Sequence, residues 1–381
     1  MQGVEEFRSE VRDWLAENLV GEFAALKGLG GPGREHEAFE ERRAWNRHLA
    51  HAGLTCLGWP VEHGGRGLSV AHRVAFYEEY AIANAPAKVN HFGEELLGPT
   101  LIAFGTPEQQ QRFLPRILDV TELWSQGYSE PGAGSDLANV STTAVLDDDE
   151  WVINGQKVWT SLAHWAQWCF VVARSEKGSK RHAGLSYLLV PLDQPGVEVR
   201  PIVQLTGDSE FNEVFFDDAR TDADLVVGQP GDGWRVAMGT LTFERGVSTL
   251  GQQIVYAREL SAVVELAKST GAAEDPLIRE RLTRSWAGLR AMRSYALATM
   301  DVEQPGQDNV SKLLWANWHR DLGEIAMDVQ GKAGLVLTGG DFDEWQRLYL
   351  FTRADTIYGG SNEIQRNIIA ERVLGLPREA R

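Results

Sequence analysis

The chain has little of what nucleic-acid-binding or membrane-spanning proteins need. Its 37 Lys and Arg are outnumbered by 54 Asp and Glu, giving a formal net charge of -17, which argues against the clustered basic surface that binds nucleic acid. No apolar run approaches the ~18 residues of a membrane span. The first ten residues are acidic and lack the apolar centre of a signal peptide. These absences predict a soluble protein with neither a nucleic-acid partner nor a membrane span.

Cysteine is almost absent as well. Only Cys56 and Cys169 occur among 381 residues. Both stand among apolar neighbours, with no C-x-x-C or Cys/His ligand spacing, so core thiols are favoured over a disulfide, and no metal site is predicted. This pattern is typical of a reducing cytoplasm.

Three stretches of different periodicity predict an α+β fold of two or three packed units. Residues 1–120 carry helical spacing, with a helix over Val70 to Ile82 and another capped by Thr106 ahead of Pro107. Residues 121–229 read as short strands, and Asn154-Gly155 predicts a β-hairpin. Residues 230–381 return to helical spacing. The prediction is an N-terminal helical domain, a middle β-domain and a C-terminal four-helix bundle.

Two motifs of the middle stretch could contact a ligand. In Pro131-Gly132-Ala133-Gly134-Ser135-Asp136, the glycines lack Cβ atoms and let a ligand approach the backbone, although a plain inter-domain loop has the same composition. Trp159-Thr160-Ser161 is either an ordinary strand end or an aromatic and hydroxyl lining for a ligand.

The C-terminal stretch holds two further candidates. Ile357 to Arg366 contains Gly359, Gly360 and then Ser361, which can cap the last helix. The first turn of a capped helix offers N–H groups to a phosphate, but the same pattern also occurs in helices without a ligand. Glu244-Arg245 is either a solvated ion pair on a helix or a buried acid beside small side chains one or two turns away.

Taken together and in this order, these segments resemble the acyl-CoA dehydrogenase family across essentially the whole chain. In that family, the base that removes the α-proton is either the residue after the Tyr of the C-terminal motif or a Glu on an earlier helix. Here Gly359 occupies the first position and Glu244 the second. The resemblance therefore implies FAD-dependent dehydrogenation of an acyl-CoA thioester to the 2,3-enoyl-CoA, with Glu244 as the catalytic base and flavin N5 as the hydride acceptor.

The resemblance also implies the ligand contacts. The substrate contacts are Ser135 on the CoA pantetheine, Arg245 beside the base, and the backbone N–H of Gly359 on the thioester oxygen. The FAD contacts are Gln126, Tyr128, Ser129, Trp159, Thr160, Ser161, Gln330, Gly334, Gly360, Ser361 and Glu363.

Departures from the family pattern bear on assembly. Relatives carry Arg-x-x-Phe-Gly after the base helix, where this chain has Lys268 to Pro276, and Gln-x-x-Gly-Gly survives only as Gln330 and Gly334. The family implies an electron-transfer flavoprotein as acceptor and a homo-oligomer, dimer or tetramer. The departures leave open a mixed oligomer with a related chain.

Two alternatives to a self-sufficient dehydrogenase stay open. One is a non-catalytic subunit that completes the FAD site of a partner chain, which the damaged cofactor motifs favour and Glu244 opposes. The other is a flavin monooxygenase or oxidase on the same fold, which Glu244 also opposes. A helix-borne base is implied for branched, long or ring-bearing acyl groups more than for short straight ones.

Overall fold

Helices and strands follow the order that the sequence predicts. The computed structural model describes residues 2–243, 248–299, 305–337 and 339–378. The chain divides into two compact units, one made of Met1–Glu17, Val70–Asn84 and Val247–Arg381, the other of Asn18–Ser69 and Ala85–Gly246. No helix among the described residues is long and apolar enough to cross a membrane.

The helices lie on both sides of the strand region in sequence. They are α1 Val4–Asn18, α2 Phe39–His51, α3 Val70–Ile82, α4 Gly98–Phe104, α5 Pro107–Leu118, α6 Gly233–Phe243, α7 Ser248–Thr270, α8 Pro276–Thr299, α9 Gln307–Gln330, α10 Glu344–Asp355 and α11 Asn362–Ile368. The bounds of α3 are those predicted. Thr106 caps α5 as predicted: its hydroxyl accepts from the Gln109 N–H at 3.2 Å, while the Gln109 side chain accepts from the Thr106 N–H.

The strands of the described residues form one mixed sheet. They are β1 Trp124–Gly127, β2 Thr143–Asp147, β3 Glu150–Ser161, β4 Trp168–Arg174, β5 Leu185–Pro191, β6 Val197–Ile202 and β7 Phe211–Asp222. β1 and β4 pair in parallel, whereas β2–β3, β3–β7, β4–β5 and β6–β7 are antiparallel. The long β3–β7 pair carries the Trp159 motif at its end.

The predicted hairpin at Asn154-Gly155 is wrong. β3 runs through both residues, and the turn lies earlier, at Asp148, whose φ is 53°. At Gly155 the register against β7 shifts, φ reaches 149°, and a Cβ would stand 2.6 Å from the Thr142 hydroxyl oxygen. The Asn-Gly pair therefore makes a β-bulge, which also needs a residue without a side chain.

Separate hydrophobic cores support the two units. In the unit with the sheet, one face of β1, β4 and β5 packs on helices through Trp124, Phe170 and Leu189. Cys169 belongs to the core on the other face, and burial raises the pKa of its thiol to about 12. Cys56 is also a free, buried thiol, so the prediction of core thiols is confirmed. In the other unit, α7, α8, α9 and α10 pack around Leu322 and Ala326.

Candidate active site

A buried ion pair fixes the segment that contains the predicted flavin contacts of β1. Lys157, with no exposed side-chain area, donates to the Glu130 carboxylate at 2.7 Å and to the carbonyl oxygens of Tyr128 and Val172 at 3.1 and 2.7 Å. All three ammonium hydrogens therefore have acceptors. The main chain after β1 is held against β3 and β4 by a charged group that water does not reach.

Both oxygens of the Glu130 carboxylate accept hydrogen bonds. It takes hydrogen bonds from the backbone N–H and hydroxyl of Ser141 at 2.6 and 2.7 Å, and from the Thr142 N–H at 2.9 Å. Burial alone raises the pKa of this carboxyl, but the charge and hydrogen bonds of Lys157 and the donors at Ser141 and Thr142 outweigh it and lower the pKa to about 2. Glu130 is therefore ionised, whereas burial lowers the pKa of its partner Lys157.

The structure brings the predicted segments Gln126 to Ser129 and Trp159 to Ser161 together. The Val158 N–H donates to the Ser129 carbonyl oxygen at 2.9 Å. Just beyond this bond β3 bulges, with a register shift between Lys157 and Thr160 against β7. The bulge re-aims the side chains at the end of β3, as bulges near ligand sites often do.

Trp159 is placed as a ligand-facing aromatic residue would be. Its φ is 59°, a left-handed value that a bulky side chain rarely adopts, and its relative exposure is 57%. The ring meets Phe211 of β7 edge to face, with 6.1 Å between centroids. Backbone strain at an exposed Trp is an observation that favours a functional role.

Two buried polar atoms beside these segments have no hydrogen-bond partner within the described part of the chain. They are the hydroxyl oxygen of Thr160 and the side-chain nitrogen of Gln126. Thr160 itself is fully buried, and its carbonyl oxygen accepts from the Asn212 side chain at 2.9 Å. Buried polar atoms are nearly always hydrogen-bonded, so a donor and an acceptor that lack partners in the described structure fit a polar ligand.

The predicted substrate contact Ser135 is exposed, in the loop after β1. The loop is tightened by reciprocal backbone hydrogen bonds of 3.0 Å between Glu130 and Ala133. A Cβ at Gly132 or Gly134 would meet nothing within 4 Å. Nothing in the chain itself therefore demands glycine there, which leaves these positions open for a ligand to approach.

The C-terminal loop is glycine-dependent. Gly359 and Gly360 have φ of 61° and 87°, and both carbonyl oxygens accept from the Gln365 side chain, at 2.9 and 3.2 Å. Gln365 is itself held by Asn309 of α9 at 2.5 Å. A single side chain thus binds the carbonyl groups of both glycines.

Ser361 caps α11 as predicted, because its hydroxyl oxygen accepts from the Ile364 N–H at 3.4 Å. Glu363 lies in the first turn with its side chain 74% exposed. Hydrogen bonds from its own backbone N–H and from Ser361 lower the pKa of Glu363. An ionised, solvated carboxylate of this kind is a poor candidate for a catalytic base.

Gln330 and Gly334 form a separate cluster. The Gln330 side chain donates to Asp343 at 2.7 Å, its buried oxygen has no partner in the described structure, and a Cβ at Gly334 would stand 2.7 Å from that oxygen. Gln330 ends α9, whereas Asn309, which anchors the Gly359 loop, lies near the start of that helix. The 24 residues of α9 span about 36 Å, so one chain does not bring these two groups of predicted FAD contacts together.

The predicted base, Glu244, lies outside the described residues, as does Arg245. Both stand between α6 and α7 in the sequence, so their assignment stays a prediction.

Sequence reasoning missed the pair of Lys157 and Glu130, although a signal was present. Lys157 stands at an even spacing from Trp151 and Ile153, both buried, so the alternation of β3 points its side chain inward. A lysine at an inward position requires a buried acceptor. The helix α10 was also not predicted, although Asp343 and Gln346 form a readable capping box at its start.

Comparison with known proteins identifies the family. Models of the N-terminal, middle and C-terminal domains of acyl-CoA dehydrogenase match residues 2–121, 125–219 and 231–374. The acyl-CoA dehydrogenase IpdE1 of Mycolicibacterium smegmatis is 86% identical, with 99% of both chains covered. IpdE1 of Mycobacterium tuberculosis is 85% identical over all of both chains.

Solved structures also match this chain. The Tcur3481-Tcur3483 steroid ACAD matches with a TM-score of 0.84 at 29% identity, covering 99% of this chain and 98% of that one. The ChsE4-ChsE5 complex from Mycobacterium tuberculosis matches with a TM-score of 0.82, the same identity and the same coverage. From the matched domains, the near-complete relatives and the shared fold, the chain belongs to the acyl-CoA dehydrogenase family of enzymes.

Proposed function

We propose that this chain catalyses FAD-dependent α,β-dehydrogenation of an acyl-CoA thioester to the 2,3-enoyl-CoA. The observation that carries the proposal is that, of the family's two base positions, one holds a glycine here and the other a glutamate. The C-terminal loop places Gly359 in a left-handed conformation, with no side chain to take a proton, while the sequence supplies Glu244 at the other position. Glu363, the acidic residue of the stretch from Ile357 to Arg366, has a solvated side chain.

FAD fits the residues that are present. The partnerless atoms of Gln126 and Thr160 suit the polar edge of a flavin ring, and the exposed ring of Trp159 suits its face. Ser129 and Ser161 add hydroxyl groups at the same strand ends, next to Tyr128. When bound, FAD accepts the substrate's β-hydride at N5.

The chain's own residues supply the proton chemistry. The α-C–H of a thioester is too weakly acidic for water to remove at a useful rate, so a positioned carboxylate, Glu244, takes this proton. The developing negative charge on the thioester oxygen needs hydrogen-bond donors, and the backbone N–H of Gly359 supplies one. A backbone donor does not depend on the side chain at its position, which is why the base can be moved to Glu244 while the donor stays. Arg245 and Ser135 would hold the CoA part of the substrate.

The substrate is proposed to be bulky. One structural relative is described as a steroid ACAD. The predicted helix-borne base, Glu244, agrees with a branched, long or ring-bearing acyl group. We therefore place a steroid-derived acyl-CoA first among candidate substrates, with an electron-transfer flavoprotein as the electron acceptor.

Assembly is proposed to involve more than one chain. Gln330 with Gly334 and the Gly359 loop lie toward opposite ends of α9, so they serve different parts of an assembly or different cofactors. The ChsE4-ChsE5 complex contains two differently named chains, and Lys268 here forms a surface pair with Glu265 at 2.6 Å where relatives carry the Arg of a cofactor contact. We propose an oligomer containing this chain and a related one. Because both cysteines are buried free thiols, we also propose a cytoplasmic location.

The test is an anaerobic titration that follows the flavin absorbance. The protein is purified alone and with a co-expressed related chain, and short straight, long straight, branched and steroid-derived acyl-CoAs are added. Bleaching by at least one thioester is the expected result. A preparation whose flavin is bleached by none of them contradicts the proposal, and bleaching only in the presence of the second chain assigns this one to a mixed oligomer. Oxygen consumption on turnover would instead favour an oxidase.

Replacing Thr160 by Val tests the proposed flavin contact. Because the buried hydroxyl has no partner among the described residues, the free energy of unfolding of the apoprotein is expected to change by less than about 0.5 kcal/mol, while the FAD dissociation constant rises about fivefold. Thr221→Val is the matched control: its hydroxyl donates to the Leu189 carbonyl oxygen at 2.6 Å, so it destabilises the apoprotein and leaves FAD affinity unchanged. Equal FAD affinity in wild type and Thr160→Val would contradict this contact.

A further inference from the structure

A buried histidine joins three elements beneath the C-terminal loop. His319 of α9, 7% exposed at its side chain, contacts Asp355 at 2.7 Å through Nδ1 and Glu259 of α7 at 3.0 Å through Nε2. The Asp355 side chain is 1% exposed. Carboxylates accept hydrogen bonds, and a neutral imidazole can donate only one, so two carboxylate contacts require both ring nitrogens to carry hydrogen. His319 is therefore an imidazolium.

The charge state has a physical cause. Burial alone lowers the pKa of His319, but the hydrogen bonds and charges of Asp355 and Glu259 outweigh it and raise the pKa to about 9. The titratable groups that face this cluster are Tyr256 and Glu259 from α7, Asp355 and Tyr358 from α10 and the loop after it, and Lys312 from α9. Burial raises the pKa of Tyr256, so it stays neutral there.

The contacts of Asp355 continue into the loop. Its second carboxylate oxygen accepts from the Tyr358 hydroxyl at 2.5 Å, and its carbonyl oxygen accepts from Lys312 at 2.6 Å. The Lys312 ammonium also lies 4.5 Å from the centroid of the Tyr358 ring. Tyr358 directly precedes Gly359, so a chain of contacts runs from His319 to the residue before the proposed oxyanion donor.

We propose that His319 is a positioning residue for the Gly359 loop, acting through Asp355 and the Tyr358 hydroxyl to hold the Gly359 N–H where the thioester oxygen binds. This inference rests on the proposed dehydrogenation. A second side chain also holds the loop, since Gln365 donates to the carbonyl oxygens of Gly359 and Gly360. Loss of the His319 contacts removes one of these two restraints, and a donor displaced by a fraction of an ångström stabilises the enolate less well.

The first measurement is hydrogen exchange of the holoprotein without substrate. The reporters are the amides of Ile357, Tyr358 and Asn362, which donate to main-chain carbonyl oxygens at 2.8, 3.0 and 3.1 Å. Because the pKa is raised from 6.5 to about 9, the protection that depends on the imidazolium is complete below pH 6.5 and is lost in a pH-dependent step between pH 6.5 and about 9. After correction for intrinsic exchange, the wild type is expected to show this step. His319→Gln lacks it and exchanges about tenfold faster at neutral pH.

The second measurement uses Tyr358→Phe, which removes only the hydroxyl. Since the ring is 37% exposed, this variant folds even if His319→Gln does not. With the thioester that bleaches the wild type fastest, kcat is expected to fall about tenfold with KM little changed, because the donor acts on charge that develops in the transition state. Tyr349→Phe on α10 is the matched control and keeps the wild-type kcat.

The outcomes separate this inference from the proposed function. A wild type that shows no exchange step between pH 6.5 and about 9, or a Tyr358→Phe variant that exchanges and turns over as the wild type does, overturns the positioning role while leaving dehydrogenation intact. A wild type that no thioester bleaches overturns the proposed function, and the exchange step, which needs no substrate, still decides whether His319 holds the loop.

Discussion

Glu244→Gln is expected to abolish bleaching of bound flavin by the best thioester on the time scale of the wild type, with a loss of about 10³-fold in the rate of reduction. Glutamine keeps the size and shape of the side chain but cannot accept the α-proton, and Gly359 offers no second base. Thioester binding itself should persist, since the amide still fills the same space. Stopped-flow absorbance of the anaerobic holoprotein measures the rate.

The matched control for Glu244 is Glu274→Gln. Glu274 is an exposed acid in the turn after α7, and its replacement is expected to leave the rate of reduction unchanged. Wild-type bleaching by Glu244→Gln would show that the base lies elsewhere in the chain or in a partner. Loss of both bleaching and bound FAD would instead indicate a damaged fold and require the unfolding transition to be measured beside the rate.

Lys157→Met is expected to lower the free energy of unfolding by about 3–5 kcal/mol, because it leaves the Glu130 carboxylate buried without its cation. Lys157 also donates to two carbonyl oxygens, which lose their partner in the same change. Since one of them belongs to Tyr128, next to the proposed flavin contacts, FAD is expected to be released at lower denaturant concentrations than in the wild type. Denaturant unfolding followed by flavin fluorescence and by circular dichroism reports both.

Arg200→Met provides the control for that measurement. Arg200 pairs with Glu198 at 2.7 Å on β6, but both side chains are more than half exposed, so its loss is expected to cost far less than the loss of Lys157. A similar cost for the two variants would show that the pair of Lys157 and Glu130 is not a structural anchor. Acid unfolding gives an independent check: with the pKa of Glu130 lowered from 4.5 to about 2, its stabilisation is present above pH 4.5 and is lost as pH falls toward 2.

Part of the candidate site could be predicted from the sequence, and part of it only from the structure. The motifs around Gln126, Trp159 and Ser361 were recognisable in the sequence because each is a run of neighbouring residues. The sequence could not show that Trp159 lies on a bulge in a left-handed conformation, or that the Thr160 hydroxyl is buried with no partner in the part of the chain that the structure describes. Both depend on how β3 registers against β7, which the hairpin predicted at Asn154-Gly155 had obscured.

The sequence by itself determined the order of helices and strands, the bounds of α3 and the cap at Thr106, because each depends on residues a few positions apart. Only the tertiary structure decided that Lys157 pairs with Glu130, that His319 bridges Glu259 and Asp355, and that the two groups of predicted C-terminal FAD contacts lie toward opposite ends of α9. These contacts join residues distant along the chain. Packing and strand register bring such residues together, and neither is written in any local pattern.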